Sequence, residues 1–246
     1  MHRLYQKSEL GFALVCIGVY VVGTSVADAV SDLLGVRKSV TCLWLLVLSL
    51  LAVRFLRRHN LFSRYGLCRS PFDAKRFLWY LPLVCMVSVN LWGGVGLLMP
   101  WTETALYIGS MLCVGFLEEL IFRGFLFKAM QKDNKQAAII VSSVTFGVGH
   151  IVNLINGSGA DLLSNLLQIG YAMAAGFLFV VMFDKGKSLL PCIIAHGVLN
   201  ALSAFSNGQT RGVGLQVVSA VFLCVIPLLY AYILWKILNG QKETNV

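Results

Sequence analysis

Two adjacent carboxylates, Glu118 and Glu119, lie just before Arg123 inside an apolar run, FLEELIFRGF. Further along, His150 follows Phe146 by four residues in FGVGH, and His196 precedes Asn200 by four in HGVLN. Ionisable groups at membrane depth are costly, so each of these asks for a function or a partner. Glu119 and Arg123 sit one helical turn apart and can pair. Glu118 is turned by about 100° from Glu119, which leaves it free to act as a base. A desolvated carboxylate is pushed toward its neutral form and can work as a base near neutral pH. A carboxylate and an imidazole together can hold and activate water. A second imidazole and an amide on one helix face, His196 and Asn200, can donate to a developing oxyanion. These are the parts of an amide hydrolase. Two histidines and a glutamate also match a hydrolytic zinc site. HExxH is absent, however, and the two imidazoles would come from different helices, so glutamate activation of water is the favoured form. The bland alternative is that the glutamates only neutralise Arg123 and distant partners, while each histidine bonds a neighbouring helix.

The elements that must position these groups are membrane helices. The chain has 246 residues, 58% of them hydrophobic and 13% charged, with a mean hydropathy of +0.78. Soluble domains carry about 25% charged residues, so lipid is the main solvent here. A span needs roughly 20 apolar residues, and an open strand in lipid would leave its backbone unpaired. The expectation is therefore an all-α bundle of about eight spans. They fall near 10–30, 40–56, 77–99, 104–127, 137–155, 164–183, 189–206 and 215–238, within a single membrane domain. Turns are expected at Pro100, Pro191, 156–161 and 184–188. The first run is too long for a signal-peptide core. At about 1.5 Å per residue, Glu118 lies about 15 Å from Lys128, His196 about 13 Å from Lys187 and His150 about 21 Å from Gln136. One site in the inner half to middle of the bilayer fits all three. Ser143/Gly147 and Ala172/Gly176 are small-xxx-small pairs that let helices approach closely.

The net charge of +9 would suggest nucleic acid in a soluble protein. Here the loops explain it, and no nucleic-acid partner is expected. With the N-terminus placed inside, sixteen of the 20 Lys and Arg residues fall on inner segments. Three, Arg37, Lys38 and Arg211, fall outside, and Arg123 lies within a span. Cytoplasmic loops attract Lys and Arg, so both termini are expected in the cytoplasm. The basic loop 57–76 carries Phe62, Tyr65 and Phe72. It reads either as lying on anionic lipid or as a solvated loop. The seven cysteines form neither CxxC nor metal-finger spacing and read as buried hydrophobes.

EExxxR (Glu118, Glu119, Arg123), FxxxH (Phe146, His150) and HxxxN (His196, Asn200), in this order on separate helices, resemble the CPBP family. These are CAAX-processing and bacteriocin-processing intramembrane proteases of the Rce1 and ABI type. The resemblance covers about 103–205, and residues 1–100 carry none of its motifs. It implies an all-α membrane fold with a site open to the cytoplasmic leaflet. It also implies that Glu118 and His150 position the attacking water, that His196 and Asn200 stabilise the oxyanion, and that Glu119 and Arg123 shape the site. The implied partners are membrane lipid and a peptide or membrane-protein substrate, with a divalent metal such as zinc left open as cofactor. A bacterial plasma membrane is the expected location, with peptide maturation, bacteriocin immunity or signalling as the role.

Other classes are set against this one. A rhomboid-like serine protease would need GxSG, and NGSG at 156–159 has Asn156 at the required glycine. An aspartyl GxGD site is absent. A non-catalytic immunity or scaffold protein would fold from the same helices. A proton-coupled transporter would use Glu118 and the histidines as a relay, but the internal repeat common in transporters is missing.

Overall fold

Long apolar runs leave lipid-facing backbone no partner but itself, and helices result. The structure, a computed structural model, describes residues 1–155, 161–207 and 212–239. Its helices are α1 His2–Lys7, α2 Glu9–Leu33, α3 Ser39–Arg58, α4 Leu81–Ser88, α5 Trp101–Met130, α6 Lys135–Leu154, α7 Leu162–Gly186, α8 Leu190–Leu202 and α9 Val213–Asn239. Among the described residues the only strand-like feature is a single bridge between Val95 and Ser206. Six helices, α2, α3, α5, α6, α7 and α9, are long and apolar enough to cross a membrane. The chain is an all-α polytopic membrane bundle. Its helix starts reflect local chemistry: Ser8, Asn134 and Asp161 cap α2, α6 and α7 by accepting from the backbone N–H three residues on.

Two of the eight expected spans take a different form. The stretch 189–206 is the short helix α8, extended by one 3-10 turn to Phe205. The stretch 77–99 is not one helix. Leu78, Trp79 and Tyr80 are left-handed, Pro82 sits in the first turn of α4, and Gly93, Gly94 and Gly96 interrupt the chain beyond it. Apolar composition alone hid these breaks. The segment nevertheless packs beside α8, and the loop before it holds the start of that helix. At one end the Leu189 N–H donates to Gly66 O at 2.7 Å and the Ser188 hydroxyl to Cys68 O at 2.6 Å. At the other end the Gly96 N–H donates to Phe205 O at 2.9 Å and the Asn207 N–H to Gly94 O at 3.2 Å. Midway, the Asn90 amide donates to Leu199 O at 2.6 Å. A broken pass thus runs beside a short one, and protein rather than lipid satisfies its irregular backbone.

The segments assigned to the inner face do meet. Glu9 pairs with Arg64 at 2.5 Å and with Lys132 at 2.8 Å, and Lys135 pairs with Asp184 at 2.7 Å. On the opposite face Lys38 pairs with Asp28 at 2.6 Å. Arg211 and Lys242 lie outside the described residues. The basic loop is anchored to the bundle at Tyr65 while Arg57, Arg58, Arg64, Arg69 and Lys75 stay exposed. Tyr65 is buried, its hydroxyl donates to the Tyr5 hydroxyl at 3.0 Å, and its ring packs edge-on against Phe125. Of the seven cysteines, all free, Cys192 is buried and Cys85 exposed, with the rest between. The expectation of uniformly buried thiols fails because lipid-facing positions tolerate a small apolar group equally well.

Gly66 is the hinge on which this loop reaches α8. Its φ is +68°, and a Cβ there would meet the Phe183 ring and stand 3.0 Å from Leu189 N. Gly66→Ala is expected to cost about 1–2 kcal/mol from the left-handed backbone alone, read as a lower melting temperature in detergent.

Candidate active site

The site is built on α5, where the helix widens. Residues Glu119–Phe127 form a π-helical stretch, and all nine are buried. Such stretches recur at functional sites. Glu118, the last α-helical residue before it, and Glu119, the first within it, point to different partners. By rise per residue Glu118 lies about 18 Å from Met130 and about 26 Å from Trp101, nearer the Met130 end of the helix.

Glu119 and Arg123 pair as their spacing predicts. Oε1 stands 3.1 Å from Nη1, with both side chains fully buried. The angle falls short of a hydrogen bond, and Nε, Nη1 and Nη2 find no hydrogen-bond partner among the described residues. Aromatic faces hold the guanidinium instead. Its carbon lies 4.0 Å from the centroid of Phe146 on α6 and 5.6 Å from that of Phe179 on α7. Cation–π contacts shielded from solvent are worth about 2 kcal/mol. Gly176 makes room for this stack, since a Cβ there would stand 3.1 Å from Nη2 and 3.2 Å from the Phe146 ring. The small-xxx-small reading of α6 and α7 is thereby realised at Gly147 as well, which packs against Met173 and Ile169.

The same Glu119 Oε1 lies 2.8 Å from His196 Nδ1. A carboxylate only accepts, so Nδ1 carries the hydrogen and donates. That turns Nε2 toward Glu118, whose Oε2 stands 3.6 Å away. His196 on α8 therefore joins both glutamates of α5. The two helices come this close because Gly115 lies against Gly197 backbone, where a Cβ would stand 2.5 Å from N and 2.6 Å from Cα. Glu118 keeps 14% of its side chain exposed, against none for Glu119 and 6% for His196. Glu118 is thus the carboxylate that a substrate could reach. Its Oε1 accepts a hydrogen bond from the Tyr20 hydroxyl at 2.6 Å. Its Oε2 accepts none among the described residues.

The six sequence candidates are not brought together equally. Glu118, Glu119, Arg123 and His196 form one contiguous group. His150 sits one step removed. Its Nδ1 donates to Phe146 O at 3.1 Å, and its ring meets the Phe146 ring edge-on at 5.2 Å. Phe146 in turn meets His196 edge-on at 5.6 Å, so one phenyl ring stands between the two imidazoles. Both imidazoles are tethered through Nδ1, and each keeps Nε2 for chemistry. Asn200 lies one turn beyond His196. Its carbonyl accepts from the Ser203 hydroxyl at 2.5 Å, and its half-buried amide makes no hydrogen bond among the described residues.

Sequence reasoning missed Tyr20 and Phe179. Tyr20 had one signal. Membrane tyrosines favour the interfaces, and Tyr20 sits about 17 Å past Glu9, at mid-span, where its hydroxyl needs a partner. Phe179 had none, since it is one apolar residue in an apolar helix.

Among the described residues no three His, Cys, Asp or Glu side chains come together as a cation's ligands would. His196 donates its Nδ1–H to Glu119, an arrangement that a metal-bound imidazole shares, and both His196 and His150 pack against Phe146.

Comparisons with known proteins bear on this geometry. Neither the curated proteins nor the solved structures give a match. A family model does match, over residues 100–202, and it is the one described as type II CAAX prenyl endopeptidase Rce1-like. That segment begins one residue before α5 and ends with α8, so it contains every acid and imidazole of the cluster. Residues 100–202 of this membrane protein thus resemble the Rce1-like, type II CAAX prenyl endopeptidase family.

Proposed function

We propose that the chain is an intramembrane endopeptidase in which Glu118 is the general base. One observation carries the reading. Glu118 is the reachable member of a buried acid–imidazole cluster, and its Oε2 faces His196 Nε2 at 3.6 Å with no hydrogen bond from the described residues. Oε2 itself is closed to water here, so the attacking water enters when substrate binding opens the pair.

In the reaction, Glu118 Oε2 takes one proton as the water oxygen attacks the scissile carbonyl carbon. The carbonyl becomes a tetrahedral oxyanion, for which the Asn200 amide is the nearest uncommitted donor on the His196 face of α8. Collapse breaks the C–N bond, and the proton held on Glu118 passes to the leaving nitrogen. The products are a carboxylic acid and an amine, which exchange a proton to leave as carboxylate and ammonium. Glu119, compensated by Arg123, keeps the His196 ring oriented throughout. His150 Nε2, on the far side of Phe146, serves the substrate end of the same site. The donor set supports glutamate chemistry over zinc. The substrate is a peptide or membrane-protein segment reached from the inner leaflet, and the lipid around it is that of a bacterial plasma membrane.

The test is cleavage of a membrane-peptide library by purified protein in detergent. Glu118→Gln keeps the shape and an oxygen for Tyr20 to bond but is not a base. General-base catalysis is worth about 10²–10⁴-fold, and a loss of that size with unchanged melting is expected. Wild-type cleavage is expected to survive exhaustive chelation. A Glu118→Gln protein that cleaves at the wild-type rate would refute the assignment.

A further inference from the structure

We infer that Tyr20, on a helix outside the matched segment, is a positioning residue for the Glu118 carboxylate. The inference rests on the reading of Glu118 as base and adds a residue to it. The Tyr20 hydroxyl donates to Glu118 Oε1 at 2.6 Å across 98 residues of sequence. That length falls in the range of a hydroxyl bonded to an ionised acceptor. Tyr20 is 7% exposed, so the bond is little shared with solvent.

The geometry divides the two oxygens of Glu118. Oε1 accepts from Tyr20. Oε2 accepts from no group among the described residues and looks toward His196. A lone glutamate on a helix can rotate its carboxyl freely, because the terminal torsion is broad and nearly two-fold. With Tyr20 bonded at one oxygen, that torsion is set and the other oxygen is held toward His196 Nε2, where the reacting water must enter. Placement matters at this scale, since an error of about 1 Å can cost 10²-fold in rate. Tyr20 also sits on α2, which packs against the π-helical stretch of α5. Phe12 of α2 meets Phe125 of that stretch edge-on at 5.1 Å, so the donor is carried by a helix braced against the acid's own. Residues 100–202 supply the acids and imidazoles, and α2 supplies the group that aims one of them.

The experiment compares wild type, Tyr20→Phe, Glu118→Ala and the double variant, all full length in detergent. Phenylalanine keeps the ring and removes only the donor. For Tyr20→Phe, kcat on a cleaved peptide is expected to fall about 10–100-fold, with KM within about twofold of wild type because Tyr20 does not touch substrate. A structural role alone would not split kcat from KM in this way. Wild-type kcat in a folded Tyr20→Phe protein overturns the positioning role. Melting reads the contact without any hydrolysis. The shifts of Tyr20→Phe and Glu118→Ala are expected to be non-additive in the double variant, and additive shifts overturn the contact itself. A wild type that cleaves nothing while the shifts are non-additive overturns the hydrolase reading and this role for Tyr20 with it, but not the hydrogen bond.

Discussion

Arg123→Met is expected to destabilise the protein by about 3–5 kcal/mol, the cost of stranding a buried charge. The substituted side chain is completely buried, and its partner Glu119 is too. Methionine fills much of the space and can still pack on Phe146 and Phe179, so volume is not the main loss. The loss is the positive charge between Glu119 and the two aromatic faces. Glu119, itself fully buried, would be left with His196 alone. The double variant Glu119→Gln/Arg123→Met tests the cause. Replacing both members of a buried pair is often neutral or stabilising, so the double variant should recover most of the melting temperature. It should not recover cleavage. The substituted amide oxygen can still accept from His196 Nδ1, but being neutral it no longer provides a charge-assisted bond. Thermal melting of the three proteins in one detergent checks the first claim, and turnover of a cleaved peptide checks the second. Arg123→Met melting with wild type would show that the ion pair is not what holds this part of the core.

Gly115→Ala is expected to lower kcat by about 10²-fold with a stability loss of about 1–3 kcal/mol. A Cβ at Gly115 would stand 2.5 Å from Gly197 N and 2.6 Å from Gly197 Cα. Backbone on the far side cannot swing away, and glycine offers no side chain to trim. The helices α5 and α8 must part by about 1 Å to restore van der Waals separation. Glu118 lies three residues from Gly115, and His196 is the neighbour of Gly197, so the displacement falls on the spacing of the acid–imidazole pair. Gly23→Ala is the contrasting case. Its new Cβ would meet the Trp44 ring, a side chain that can turn where backbone cannot. Kinetics and melting of both variants separate a specific loss of alignment from a general cost of overpacking. Equal activity in Gly115→Ala and wild type would mean that the helix spacing is not catalytically set.

The membrane bundle was legible because its cause is compositional. Lipid demands long apolar helices wherever the chain crosses, and Lys and Arg collect on one face. That face reassembles in the structure through Glu9, Arg64, Lys132, Lys135 and Asp184. The Glu119–Arg123 pair was legible for a similar reason, since it is local to one helix and its spacing is its geometry. The broken pass at 77–99 was not. Apolar content there matches that of a true span, and the breaks come from three left-handed residues and a glycine cluster, with partners that lie far along the chain: Tyr230 at Phe77 O, Phe205 at the Gly96 N–H and Asn207 at Gly94 O.

The amino-acid sequence on its own determined that this chain lives in lipid and which residues are too costly to hold there without a reason. It could not determine which of them meet. Only the tertiary structure decided that His196, and not His150, stands beside Glu118, and that Tyr20 reaches the same acid from the first long helix. Periodicity orders residues along one helix, whereas contacts between helices depend on rotation and separation. Those are set by the packing of Gly115 on Gly197 and of Gly176 beneath Arg123 and Phe146.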